Sequence, residues 1–265
     1  MKLLDLTLPT PAENLAGDEV LLDRAEAHGG EFLRFWESRD HFVVVGYANR
    51  VETEVNVAAC TAGRIPIFRR CSGGGTVLQG PGCLNYALIL QITSHPPLVN
   101  ISGANKFIME QNRRAIESEV QNQNPEARIA ICGHTDLAIA TSGHPPVAPN
   151  PASAGEREAL VTYLKFSGNS QRRLKRSVLF HGTLLLNFNL RLVNELLRMP
   201  ARQPDYRDNR GHGDFLTNLR VPTARLKQAL AEIWNVTQET CDFPESEMQK
   251  LAVEKYSTRE WNFRF

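Results

Sequence analysis

Two short segments hold most of the residues capable of chemistry. The first is Arg69-Arg70-Cys71-Ser72-Gly73-Gly74-Gly75-Thr76-Val77. Three successive glycines lose much backbone entropy on ordering. A fold tolerates that loss where the chain needs positive φ, or where a ligand must lie against bare backbone. Their N–H groups can point together at an anion or a carbonyl, and Arg69 and Arg70 offer forked positive charge beside them. A tight β-turn flanked by two solvated arginines is the plain alternative. The segment is not a P-loop, because no Gly-Lys-Ser/Thr follows. Nor does it have the spacing of a dinucleotide-binding loop, because Leu78 stands where a third glycine is required.

The second segment is Lys165-Phe166-Ser167-Gly168-Asn169-Ser170-Gln171-Arg172-Arg173, followed by His181-Gly182-Thr183. An apolar run precedes Lys165, and the small polar residues Ser167–Ser170 predict a turn after it. A lysine at a strand end can place a point charge on a developing anion; the commoner role of a lysine is an ordinary surface residue. His181 falls inside a strand run, where a hydrogen-bonded structural role competes with that of a base. The cysteines Cys60, Cys71, Cys83, Cys132 and Cys241 are odd in number and widely spaced, with no C-x-x-C. That argues against a disulfide framework or a zinc site and for reduced cytoplasmic thiols. Cys71, Cys83 and Cys132 stand beside glycine or polar residues and are candidate nucleophiles, although unpaired cysteines more often fill cores. The histidines show no H-x-x-x-H, and no metal-ligand set is expected.

These segments need elements to position them. Pro11–His28 reads as a helix, with Leu15, Val20, Leu21, Leu22 and Ala25 as its stripe and Gly29-Gly30 as its stop. Strand-like runs follow at Phe32–Trp36, Phe42–Gly46, Ile65–Arg69 and Asn85–Ile92. Gly103–Val120 predicts a helix. Arg128–Ile131, Asp136–Ala140, Leu160–Phe166 and Val178–Asn187 predict strands, with residues 141–156 as an exposed flexible hairpin tip rich in Pro, Ser, Gly and Ala. Leu192–Met199, Pro222–Trp234 and Glu245–Tyr256 predict helices. With no strong boundary, the 265 residues read as one α+β domain. Hydrophobic residues make up 42% and charged residues 22%, and 30 basic against 29 acidic residues leave a net charge of +1. That balance argues against a nucleic-acid coat protein or a polybasic membrane binder. No apolar run approaches the roughly 18–20 residues that cross a bilayer, and the first residues lack the apolar core of a signal peptide. A cytoplasmic protein without nucleic-acid or membrane partners is expected.

Arg69–Asn85 (RRCSGGGTVLQGPGCLN) resembles the RR-x-SGGG-x-V…G-x-x-N signature of the A-type lipoate–protein ligases. Lys165–Thr183 resembles the same family's K-x-[SA]-G-[NS]-[AS]-x-R…HG-T segment. Asn14-Leu15-Ala16 with Asp18-Glu19, Asp136-Leu137-Ala138, Tyr206-Arg207 with Arg210 and His212, and Lys255-Tyr256 with Glu260-Trp261 are further similarities in the right order. The resemblance implies a mixed β-sheet core flanked by helices, like that of class II aminoacyl-tRNA synthetases and biotin–lipoate ligases. It implies a catalytic domain over residues 1–265 without the accessory domain of two-part members, which leaves room for a separate accessory subunit. The implied reaction activates lipoate with ATP and Mg²⁺ to lipoyl-AMP. The acyl group then moves to a lysine of a lipoyl carrier domain: a 2-oxoacid dehydrogenase E2 subunit, a glycine-cleavage H protein or a dedicated carrier. The residues implied are Lys165 as the catalytic group, with Arg70, Ser72, Gly73, Gly74, Gly75, Thr76, Asn85, Asp136, Gly168, His181, Gly182 and Thr183 around the acyl-adenylate. Gln79-Gly80 departs from the His-Asp of many ligases. Gly80-Pro81-Gly82 is similar to octanoyltransferases, relatives that use a cysteine acyl-enzyme and no ATP. The alternative is therefore an ATP-independent octanoyl or lipoyl transferase with Cys132, which precedes the Asp136 strand, as its nucleophile.

Overall fold

Cys83–Gln91 is buried over its first eight residues, and a strand hidden on both faces requires a layer on each side. The computed structural model supplies both, and describes residues 1–142, 161–200 and 202–265. Among the described residues the chain runs β1 (Lys2–Asp5), α1 (Pro11–His28), β2 (Phe32–Trp36), β3 (Phe42–Val45), α2 (Val51–Glu54), α3 (Val57–Ala62), β4 (Ile67–Arg69), β5 (Val77–Gln79) and β6 (Cys83–Gln91). It continues as α4 (Ile101–Gln121), β7 (Arg128–Cys132), β8 (Asp136–Ser142), β9 (Val161–Arg173), β10 (Ser177–Leu185), α5 (Arg191–Leu196), α6 (His212–Phe215), α7 (Thr223–Ile233), β11 (Gln238–Glu239), α8 (Glu245–Leu251) and α9 (Arg259–Asn262).

The larger sheet has the order β11-β1-β2-β6-β10-β9-β8-β7, and β4-β3-β5 form a second, smaller sheet. One face of the larger sheet sets Leu33, Phe35, Leu84, Leu88, Phe166 and Phe180 against Ile108, Met109 and Ile116 of α4 and Leu226 and Leu230 of α7. The other face lies under α1, which contributes Leu21, Leu22 and Ala25 against Phe32, Ala87, Ile89 and Leu179. Helix α1 begins where a capping box dictates: the Thr10 side chain accepts from Glu13 N–H and the Glu13 carboxylate accepts from Thr10 N–H. Gly29 ends it at φ 77°, a value that favours glycine.

The expected α+β architecture, a mixed sheet flanked by helices, is the one found. The turn expected at Ser167–Ser170 is not: β9 runs on to Arg173, paired with β8 and then β10. The register slips between Leu137 and Ala138, and Phe166 is the extra residue, so a β-bulge and not a turn follows Lys165. The helix expected over Glu245–Tyr256 is α8 continued as one π-helical turn, Ala252–Tyr256. Of the hairpin tip expected at 141–156, Thr141 and Ser142 close β8, and the rest lies outside the described residues. No described helix is long and apolar enough to cross a membrane.

Candidate active site

The register aligns Cys132, Asp136, Gly168, Thr183, Asn85 and Trp36 in one row across β7, β8, β9, β10, β6 and β2. Residues paired in this way point to the same face of a sheet, here the face under α1. Lys165 joins the row from above: its Nζ lies 2.7 Å from Asp136 Oδ1. A Cβ on Gly168 would sit 3.1 Å from Lys165 Nζ and 3.2 Å from its Cε, so the glycine is the floor across which the lysine lies. The other carboxylate oxygen of Asp136 accepts a hydrogen bond of 2.8 Å from the Tyr206 hydroxyl. Burial and the neighbouring Asp136 charge push that hydroxyl's pKa up. Tyr206 is held by its own loop, where Arg210 donates to the Tyr163 and Tyr206 carbonyls and the guanidiniums of Arg207 and Arg210 lie over the Phe215 ring. Cys132 is buried beside Asp136. Burial first, and then the Asp136 charge, pushes its thiol up to about 11. The two other candidate nucleophiles, Cys71 and Cys83, are buried away from this pair, with thiols pushed up to about 12 chiefly by burial.

A polar chain on the opposite face fixes the hairpin that joins β7 to β8. Trp234 Nε1 donates to Asn112, Asn112 Nδ2 to the Tyr86 hydroxyl, and that hydroxyl to Asn169 Oδ1, each at 2.7 or 2.8 Å. Asn169 Nδ2 then donates to the Thr135 carbonyl at 2.7 Å, and Thr135 Oγ1 returns a bond to the Asn169 carbonyl. Every member finds a partner, which is what makes a buried polar chain rigid rather than costly. Gly182 makes room for it: a Cβ there would fall 1.7 Å from Asn169 Oδ1.

The glycine segment is built the other way round. Its side chains turn inward and its backbone faces out. Arg69 is fully buried and donates to the carbonyls of Gly46, Asn49 and Asn262. Arg70 donates to the Gly73 and Gly75 carbonyls and to Ser72 Oγ, and burial lowers its pKa to about 10. Neither is the solvated arginine of a plain turn. Thr76 is tied through its N–H and hydroxyl to Glu54. Gly74 adopts φ 82°, and its carbonyl accepts from Asn49. A Cβ on Gly73 or Gly75 would meet nothing within 4 Å, so open space lies over both. Beneath the loop Ser72 Oγ lies 2.5 Å from His181 Nε2, and His181 Nδ1 lies 3.2 Å from Asp18 Oδ2. A carboxylate only accepts, so the Nδ1–H of His181 donates to Asp18. Asp18 Oδ1 in turn takes Arg34 Nη1 at 2.6 Å.

The structure thus gathers Lys165, Asp136, Gly168, Thr183 and Asn85 on one row. His181 sits on the adjoining one, paired with Ala87 and Ser170, and Ser72 reaches it from the loop. Arg70 and Thr76 brace the loop from inside, and Gly182 faces the opposite side of the sheet. Sequence reasoning missed Tyr206 as a partner of Asp136, Asp18 as the anchor of His181, and Gln79, whose amide donates to Thr183 at 2.9 Å. Asp18 carried a readable signal: a carboxylate amid the apolar stripe of α1 needs a buried partner.

Comparison with known proteins bears on the reaction. Octanoyltransferase LipM from Geobacillus kaustophilus is 27% identical over 269 residues, covering 96% of this chain and 94% of the relative. Among solved structures, a bi-partite lipoate protein ligase from Thermoplasma acidophilum, studied with its E2 lipoyl domain, aligns with TM-score 0.71 and 22% identity, covering 99% of this chain and 95% of that one. A lipoate-protein ligase A bound with ATP aligns with TM-score 0.68 and 21% identity, over 99% of this chain and 98% of that one. At such identities the two ligases establish the fold. The near full-length match to an octanoyltransferase overturns the expected ATP-dependent activation of lipoate: such an enzyme moves an acyl group that is already activated and has no adenylate to make. Residues 10–233 match the lipoyl protein ligase A/B catalytic domain, and the chain belongs to that family.

Proposed function

We propose that this chain transfers a medium-chain acyl group of the octanoyl class from a carrier thioester to a lysine amine of a lipoyl carrier domain, through a thioester on Cys132. The observation that carries the reading is the placement of a buried thiol in register beside Asp136, whose carboxylate grips Lys165 at 2.7 Å. In the first half-reaction Cys132 Sγ attacks the donor carbonyl. The thiol proton passes by way of Asp136 to the leaving carrier thiolate, and the Lys165 ammonium offsets the charge on the tetrahedral oxygen. One thioester breaks and one forms, so no other energy source is needed. In the second half-reaction the acceptor amine attacks the Cys132 thioester, an amide forms, and the amine proton returns to Sγ through the same pair. Gly73 and Gly75 leave bare backbone over which the acyl chain can lie. The carrier partner is supported by the lipoyl domain of the Thermoplasma system. One catalytic unit is supported by the contacts of Lys255 and Tyr256 with Glu19 of α1.

Incubating the purified chain with an octanoyl-loaded carrier and no ATP should add one octanoyl group to the peptide containing Cys132, seen by mass spectrometry. A lipoyl domain added next should take it up. Cys132→Ala should lower the transfer rate at least about a thousandfold. Transfer by that variant at the rate of the unaltered chain would refute the acyl-enzyme.

A further inference from the structure

The segment 204–217, which includes α6, touches the site in three places. The Tyr206 hydroxyl donates to Asp136 Oδ2 at 2.8 Å. A Cβ on Gly133, the residue after Cys132, would lie 3.4 Å from Pro204 Cβ and 3.8 Å from Tyr206 Cε1, so Pro204 and Tyr206 cover the hairpin that joins β7 to β8. Further along, Leu216 bridges to Lys165, and Thr217 N–H donates to the Lys165 carbonyl at 2.8 Å. One segment therefore reaches the thiol hairpin, the carboxylate and the backbone of the lysine. Its turn is braced from both sides. Arg207 Nε donates to the Arg210 carbonyl and Arg210 Nε to the Arg207 carbonyl, each at 3.0 Å. Between them Asp208 and Asn209 take φ 50° and 54°, values that these two residue types accept most readily after glycine. The Tyr206 ring packs on Phe215 with centroids 5.2 Å apart.

The Lys165 side chain is 23% exposed and Asp136 15%, so water and substrate reach the pair. The last torsion of an aspartate is broad and two-fold, and Lys165 by itself would hold it weakly, because a partly exposed ion pair is weak. A hydrogen bond to a charged acceptor is one of the stronger kinds, and here it comes from a ring fixed in a braced loop. Tyr206 is no proton carrier. Burial and the Asp136 charge hold its hydroxyl well above its ordinary 10.0, far from the range in which side chains exchange protons during turnover. We infer that Tyr206 is a positioning residue: its hydroxyl locks one oxygen of Asp136, so that the other keeps facing Lys165 as substrates arrive and leave. The inference rests on the acyl-transfer reading for what the pair does, and the lock itself is read without transfer.

Two measurements on the full chain with Tyr206→Phe, which keeps the ring on Phe215, test the lock. The first is acetylation by acetic anhydride, read by mass spectrometry at Lys165 and, as a control on the fold, at Lys227, which Asp5 and Glu37 hold. Acetylation of Lys165 should rise about threefold in Tyr206→Phe as its ion pair loosens. It should rise at least as much in Asp136→Ala and no further when the two changes are combined. The second is octanoyl loading of Cys132, where kcat should fall about tenfold with KM unchanged. In the Asp136→Ala background the same change should alter kcat less than about twofold, whereas a side chain that served the fold alone would add its loss in both backgrounds. Acetylation or kcat equal to that of the unaltered chain, a rise in acetylation shared by Lys227, a change in KM alone, or equal losses in both backgrounds overturns the inference. If acetylation responds as expected but the unaltered chain never loads octanoyl, the lock stands and the transfer mechanism falls.

Discussion

Two aspartates in this molecule are wired alike and do different work. Asp18 gives one oxygen to Arg34 at 2.6 Å and the other to His181 at 3.2 Å. Asp136 gives one oxygen to Lys165 at 2.7 Å and the other to Tyr206 at 2.8 Å. Asp18 and Arg34 are sealed beneath α1, with Arg34 further bound to the Asn14 side chain and to the Leu6 and Asn14 carbonyls. Asp136 and Lys165 lie at the open end of the row. A sealed ion pair cannot exchange partners without exposing charge to an apolar interior, so the Asp18 assembly fixes Ser72 and the loop above it. An ion pair at an opening can be remodelled by an arriving substrate at little cost.

Substitution should separate the two. Asp18→Ala strands the Arg34 guanidinium and should lower stability by about 3–5 kcal/mol, read as a fall in the urea midpoint with unchanged slope. Asp136→Ala should cost less than about 1 kcal/mol of stability yet slow acyl transfer about a hundredfold. Similar losses of stability in both variants would erase the contrast. Gly182→Ala probes the scaffold behind Asp136. Its Cβ displaces Asn169 from the Thr135 hairpin and should cost about 1–3 kcal/mol as an overpacking change. Transfer should slow along with the stability loss, because that hairpin carries Cys132 and Asp136.

Helix α1 was legible because its signals are local: Thr10 and Glu13 close a capping box, and glycine follows the last turn. The glycine segment and the lysine strand were legible as chemistry because their residue types are unusual together. Their directions were not. Arg69 and Arg70 read as ligand-facing or solvated, yet both are consumed by loop carbonyls, a fact set by residues such as Asn262 that lie far along the chain. Gly168 read as a turn because glycine usually punctuates, whereas its role is to leave space for Lys165. Strands β1, β5 and β11 escaped notice because they are four residues or shorter and owe their existence to tertiary pairing rather than to any period in the sequence. The reaction itself was misread for a related reason. The two motifs mark the family, whereas a neighbourhood such as that of Cys132 and Asp136 arises only once β7 and β8 pair.

The thiols sharpen the contrast on a pH axis. Cys71 stands next to Ser72 and Cys132 next to Asp136 in the folded hairpin, with thiol values pushed up to about 12 and about 11, and Cys83 is also near 12. Each is an acid whose folded value lies above its ordinary 9.0. The fold therefore favours the neutral form. The associated stability is intact below pH 9 and is lost as pH rises from there towards 11 and 12. Between about pH 8 and pH 10 the urea midpoint should fall, and Cys83→Ala should blunt the fall, since each thiol contributes up to about 1.4 kcal/mol per pH unit. A midpoint that is flat across this range would mean that the thiols are not held neutral. Alkylation of Cys132 should rise steadily with pH over the same interval and outpace that of Cys71, because only the former lies at the open end of the row.

The smallest expected change in stability tests the open backbone over the Asp18 assembly. Gly75 has no positive φ, and nothing lies within 4 Å of the position a Cβ would take. Gly75→Ala should therefore shift stability by no more than about 0.5 kcal/mol, with any gain arising from the stiffer unfolded chain. Gly74→Ala, by contrast, meets a positive φ and the Arg70 guanidinium and should cost more. If the acyl chain lies against this strip of main chain, the Gly75 methyl occupies part of its path. Octanoyl loading of Cys132 should then slow about tenfold through a raised KM, since the methyl removes ground-state and transition-state binding alike. A Gly75→Ala protein with unaltered stability and unaltered KM would place the acyl chain elsewhere, and the three glycines would then serve only to let Arg70 gather their carbonyls.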